Sequence, residues 1–142
     1  MATMNPSNGY FWMGNKTLKV PMALFGENRT RLATALKKSE NLPKNSVVLL
    51  QGGGDQGRCA GDSSDVGPTF RQESFFHWAF GVLEPDYYGT IDVTSGKSTL
   101  FLPRLPEDYA TWMGHIPSCK EIMDAYRVDQ VYYVDEMPKI LE

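Results

Sequence analysis

Two cysteines, two histidines and the lack of any long apolar run set the first limits on this chain. Cys59 and Cys119 are far apart and have no C-x-x-C partner, so no disulfide scaffold or thiolate zinc site is spelled out and both read as thiols. His77 and His115 fall in no H-E-x-x-H pattern, and Asp55, Asp62 and Asp65 lack calcium-loop spacing, so no metal ligands are assigned. Nothing approaches the roughly 20 apolar residues that span a bilayer, and the start "MATMNPSNGYFWMGN" has neither the basic opening nor the apolar stretch of a secretory signal. A cytoplasmic protein without a membrane partner is expected, and the glycosylation patterns at Asn15 and Asn28 are idle in that setting. Positive charge is not in excess either. Against 17 Asp and Glu stand 14 Lys and Arg, a net charge of −3 that gives no footprint for nucleic acid. The one dense basic group, Arg29, Arg31, Lys37 and Lys38, reads as the solvated face of a helix.

The 142 residues, 42% hydrophobic and 22% charged, suit one globular domain. "KVPMALFGENRTRLATALKK" (19–38) reads as a helix opened by Pro21, with Phe25, Leu32 and Leu36 on one stripe. "SVVLLQ" (46–51) is a short uninterrupted apolar run that predicts a strand buried on both faces. Two further strands, "YYGTIDV" (87–93) and "STLFLP" (98–103), are joined by Thr94–Lys97 as a hairpin. "PEDYATWMG" (106–114) predicts a short helix stopped by Gly114. Ser118 and Glu121 are spaced as a capping box for a helix reaching about Arg127. "QVYYV" (130–134) predicts a strand, and Asp135 is placed to cap a last helix that the chain end leaves unfinished. Alternating strands and helices predict an α/β domain with a mixed sheet flanked by helices. The stop inside a helix suggests a piece of a longer polypeptide.

Two phosphate-binding patterns tempt and fail. Gly52, Gly54 and Gly57 satisfy G-x-G-x-x-G behind a strand, but "RCAGDSSDVGP" cannot supply the helix N-terminus that would face a pyrophosphate. Gly96-Lys97-Ser98 lacks the earlier glycine of a phosphate loop and leads into a strand. No Ser, Cys or Lys stands in a nucleophile's context, so no catalytic residue is assigned. The local reading is an association module, with a stand-alone interaction or dinucleotide-binding domain as the alternative.

The run "FRQESFFHWAFG" (70–81) packs five rings around Arg71, Gln72, Glu73 and His77. Phe70, Phe76 and Phe80 are expected in the core, with Arg71, Glu73 and His77 at its edge, free to cap, pair or face another domain. Trp12 and Trp78 are expected as packing residues. Together with Phe11-Trp12, "TLKVP" (17–21), "FRQESFFHWAFGV" (70–82), "IDV" (91–93), "GKSTLF" (96–101), "PRLP" (103–106) and "ATWMG" (110–114), this run resembles the amino-terminal domain of the Xaa-Pro dipeptidase (prolidase) family. The departures lie in 52–68, including Cys59, and in 115–127.

The resemblance implies a creatinase-type, ribonuclease-H-like α/β fold for residues 1–142. It also implies a carboxy-terminal pita-bread domain, absent from this sequence, that cleaves dipeptides ending in proline or hydroxyproline. In that domain two manganese ions are held by two Asp, one His and two Glu, so the 142 residues alone are expected to be inactive and to hold no cofactor. The partners implied are the missing catalytic domain, a second copy in a homodimer and the dipeptide substrate. Trp112 is implied to reach the partner subunit's pocket as a cover, and Arg71, Glu73 and His77 are the candidates for a domain or dimer contact.

Overall fold

In the computed structural model the chain is described over residues 9–12, 14–54, 70–106 and 108–142, without the side chains of residues 112 and 113. A short ribbon opens it. Strand β1, Tyr10–Phe11, pairs antiparallel with β2, Val20–Pro21. Pro21 is thus the end of an edge strand, where its missing N–H costs nothing, rather than the opening of a helix. Helix α1 follows at Ala23–Lys37.

A four-stranded mixed sheet forms the centre: β3 (Val47–Gln51), β4 (Tyr88–Asp92), β5 (Ser98–Leu102) and β6 (Gln130–Tyr133), in that order. The first three strands run as an antiparallel meander, and β6 lies parallel to β5. The parallel pair requires a crossover, which carries helices α3 (Tyr109–Met113) and α4 (Cys119–Tyr126). Helix α2 (Ser74–Phe80) lies in the connection between β3 and β4, and a 3-10 turn with the short helix α5 (Met137–Leu141) follows β6.

The register places Val48, Leu50, Ile91, Leu100, Leu102, Val131 and Tyr133 on one face of the sheet. That face meets Phe25, Phe76, Phe80, Ile122 and Tyr126 from α1, α2 and α4 in a single core. Gly89 lies between Leu50 and Leu100 on this face. A Cβ there would stand 2.3 Å from the Phe80 ring, so the glycine is the notch that seats α2 on the sheet. The expected α/β domain, a mixed sheet with helices, is what the chain forms.

Two local expectations need correction. β3 is not buried on both faces: Val47 is 45% and Leu49 51% exposed, on the edge strand of the sheet. Asp135 does not cap a helix. Its carboxylate accepts a hydrogen bond from Arg104 Nε at 3.2 Å, while Glu136 takes the N–H of Tyr133 at 2.9 Å.

Candidate functional site

The run 70–81 separates its rings by helical geometry. Glu73 caps α2 by accepting from the Phe76 N–H at 2.7 Å, and Gly81, at φ 70°, ends it by donating to the His77 carbonyl at 2.8 Å. Seven residues between these stops put Phe76, Ala79 and Phe80 inward, fully buried. Phe75, 70% exposed, and Trp78, 41% exposed, face out. Trp78 is therefore not a packing residue of the core. Trp12 is half-buried, with the Lys19 ammonium 4.9 Å above its ring.

The last turn of α2 leaves carbonyls without helical partners, and α1 supplies them. Asn28 Nδ2 donates to Trp78 O, and Arg29 Nη1 donates to Ala79 O, each at 2.9 Å. Arg29 Nη2 also donates to the Arg127 carbonyl at 2.9 Å, and its guanidinium lies 5.4 Å from the Phe80 centroid. Arg29 is a buried clamp joining α1, α2 and the end of α4, not part of a solvated face. Burial lowers its pKa, an effect opposed by Asp129. Asp129 itself resists the upward push of burial because Ser98 donates to it from both N and Oγ, at 2.7 and 2.8 Å, and its pKa falls below the usual carboxylate value.

Of the sequence-assigned residues, Arg71 is exposed in the segment before α2. Glu73 is committed to the cap, and that hydrogen bond from Phe76 lowers its pKa. His77 is half-buried, its ring edge-on to Phe25 at 5.8 Å, and burial lowers its pKa. Of these three only His77 lies within α2, with Glu73 its N-cap and Arg71 just before it; Trp112 sits on another element, α3. Its side chain lies outside the described residues, as does Cys59, while Cys119 is a half-buried thiol.

Helix α3 is held at both ends. Before it, Arg104 stacks 3.8 Å over the Tyr133 ring while pairing with Asp135, which fixes the segment 103–106 to the end of β6. After it, Gly114 takes φ 86° and donates to the Ala110 carbonyl at 3.0 Å. Then Ser118 and Glu121 form the expected capping box, reinforced by His115 Nε2 at 3.0 Å from Glu121. Hydrogen bonds from Ser118, with His115 adding to them, take the Glu121 pKa down to about 2.

Gln72, which sequence reading passed over, is the hinge pin of this end of the molecule. Its carbonyl oxygen accepts from the N–H groups of Gly53 at 2.6 Å and Glu73 at 2.9 Å, and its amide donates to Glu84 O at 2.8 Å. Gly52 donates to Tyr87 O at 2.8 Å, so the first two N–H groups of the glycine run are spent inside the protein rather than aimed at a phosphate. Gly57 lies outside the described residues.

The described residues do not fit a metal centre: among them no group of three or more His, Cys, Asp and Glu side chains is placed to hold an ion. Among them, too, no helix is long and apolar enough to cross a membrane.

The comparisons agree on the kind of domain. Human Xaa-Pro dipeptidase is 56% identical over 131 residues, 92% of this chain and 26% of that protein. The rat Xaa-Pro dipeptidase is 53% identical over 140 residues, 99% of this chain and 27% of that protein. The chain thus spans about a quarter of the length of the curated relatives it matches. Among solved structures, the low-pH form of Escherichia coli aminopeptidase P superposes with a TM-score of 0.66 at 20% identity, over 87% of this chain and 27% of that one, a likeness of fold. Residues 25–142 match the family described as aminopeptidase P, N-terminal domain. By that match this chain belongs to the aminopeptidase P N-terminal domain family.

Proposed function

We propose that this chain is the non-catalytic amino-terminal domain of a cytoplasmic Xaa-Pro dipeptidase. Its carboxy-terminal pita-bread domain, outside this sequence, would hold two manganese ions and hydrolyse dipeptides ending in proline or hydroxyproline. The observation that carries the reading is the extent of identity with the human enzyme, 56% across 92% of this chain. The lack of a ligand cluster among the described residues is compatible with placing the metals elsewhere.

The domain's part in this reading is geometric. Helix α3 presents Trp112 as a cover over the pocket of the partner subunit, where a rigid indole excludes water and narrows the space around a small dipeptide. The bracing of α3 by Arg104 and Gly114 supports a fixed placement of that ring. Helix α2, with outward Phe75 and Trp78 and the exposed Arg71 ahead of it, is the surface offered to the catalytic domain, and His77 and Glu73 hold its shape.

A graft tests this. Replacing the corresponding region of human Xaa-Pro dipeptidase by this chain is expected to retain hydrolysis of glycyl-proline, whereas deletion of the region abolishes it. Trp112→Ala in the graft is expected to relax discrimination between dipeptides and longer peptides while leaving thermal stability nearly unchanged. Large unfolding with unchanged selectivity would make Trp112 a packing residue instead.

A further inference from the structure

We infer that the outer edge of β3 is a self-complementary docking strand for a second copy of this chain. The inference deepens the homodimer part of the proposed function, rests on that part alone, and names its surface. The hydrogen-bond phase of β3 identifies the free groups. Gly52 N donates to Tyr87 O and Val93 N to Ser46 O, and Val48 and Leu50 stand opposite Ile91 and Gly89. Bonded and non-bonded pairs alternate in an antiparallel ladder, so Ser46, Val48, Leu50 and Gly52 spend their backbone groups on β4. The N–H and C=O groups of Val47, Leu49 and Gln51 then point away from the sheet. Among the described residues no strand pairs with them.

Exposed edges are ordinarily blunted by proline, charge or a bulge. β3 has none of these: it reads VVLLQ and pairs with β4 in unbroken register. Its side chains on the uncovered face, Val47 and Leu49, are about half exposed. An antiparallel copy centred on Leu49 would place Leu49 against Leu49 and Val47 against Gln51. All three outward-facing residues of each copy then enter bonded pairs, which no other centre along the strand achieves.

The charges at the strand ends suit the same register. Exposed Lys44 precedes β3 and exposed Asp86 flanks its far end, where its carboxylate lies 3.4 Å from a Cβ built on Gly54. Neither has an ion-pair partner among the described residues. Two-fold pairing about Leu49 brings Lys44 of each copy toward Gly54 and Asp86 of the other. A residue meeting its own kind at the centre and its opposite at the ends is the signature of an isologous contact. A single strand pair is small as interfaces go, so the dimer should exchange with monomer as concentration changes.

Sedimentation velocity of the 142-residue chain across about a hundredfold range of concentration reads this directly. Wild type is expected to shift from monomer to dimer. Leu49→Lys, which sets two ammonium groups on the axis, is expected to raise the dissociation constant about tenfold or more with an unchanged circular dichroism spectrum. Lys44→Glu should weaken the dimer, and Lys44→Glu with Asp86→Lys should restore it. With Cys59 and Cys119 changed to serine, Leu49→Cys is expected to cross-link on mild oxidation, since a bonded pair sets the two Cα atoms about 5.5 Å apart, within disulfide reach. Leu18→Cys, at a position 82% exposed and remote from β3, should not. A dimer untouched by Leu49→Lys and by the charge exchange overturns the strand edge and leaves the homodimer reading standing. A chain monomeric throughout, with no cross-link through Leu49→Cys, overturns the strand edge as well, while the graft assay judges the peptidase reading separately.

Discussion

Arg29→Ala should be among the most destabilising single changes on the surface-facing helix α1. Arg29 is only 6% exposed and satisfies two carbonyls, Ala79 O in the last turn of α2 and Arg127 O just past the end of α4. Stranding a buried acceptor costs about 1–3 kcal/mol, and two are stranded here. Loss of the guanidinium over Phe80 adds about 0.5–1 kcal/mol. The expected total is about 2.5–7 kcal/mol. With a urea dependence of about 1–3 kcal/mol/M, the unfolding midpoint should drop by about 2 M. Arg29→Lys keeps the charge but reaches one carbonyl rather than both, so roughly half the loss is expected. Equilibrium urea unfolding followed by tryptophan fluorescence measures each. If Arg29→Ala costs less than about 1 kcal/mol, as a solvated arginine would, the clamp does not hold α2.

Gly89→Ala forces a Cβ to within 2.3 Å of the Phe80 ring and should cost at least the 1–3 kcal/mol typical of overpacking, read as a lower melting temperature; a neutral result would mean α2 slides freely on the sheet. Glu73→Ala removes the α2 cap and should cost about 1 kcal/mol, while Glu73→Asp keeps most of it, by the same urea assay. Glu121 has its pKa depressed to about 2 by the Ser118 and His115 contacts. Its contribution is therefore present above the unfolded value near 4.5 and fades as pH falls from there toward 2. Melting temperatures of wild type should fall across that window more steeply than those of Glu121→Gln, and parallel curves would refute the assignment.

Much of this fold is written in local signals. The Ser118–Glu121 capping box, the stops at Gly81 and Gly114 and the turn between β4 and β5 all depend on a few neighbouring residues, and each forms where the sequence places it. What failed depends on neighbours that are distant in sequence. VVLLQ has the composition of a central strand, and nothing within it says that no strand pairs with its other side. Pro21 suits a helix opening and an edge strand equally, and pairing with Tyr10 decides.

Arg29 was the legible miss. It lies on the stripe of Phe25, Leu32 and Leu36, and a lone cation among apolar stripe positions signals a buried partner rather than solvent. The exposed Trp78 follows from spacing alone, since Phe76 and Phe80 claim the inward face of so short a helix. The candidate site was less legible than the fold because its parts sit on separate elements, Arg71, Glu73 and His77 ahead of and on α2 and Trp112 on α3. The ring count of 70–81 pointed to a core, which is half of what that segment builds.

The division of labour between this domain and the reacting metals is best tested by mixing the purified 142-residue chain with manganese and glycyl-proline and measuring release of free proline. No release above the metal-only control is expected, because on the proposed reading the ligands that would bind the ions and the water they activate belong to another domain. Sustained turnover that vanishes on chelation and scales with the amount of this chain would show that the chemistry resides here after all.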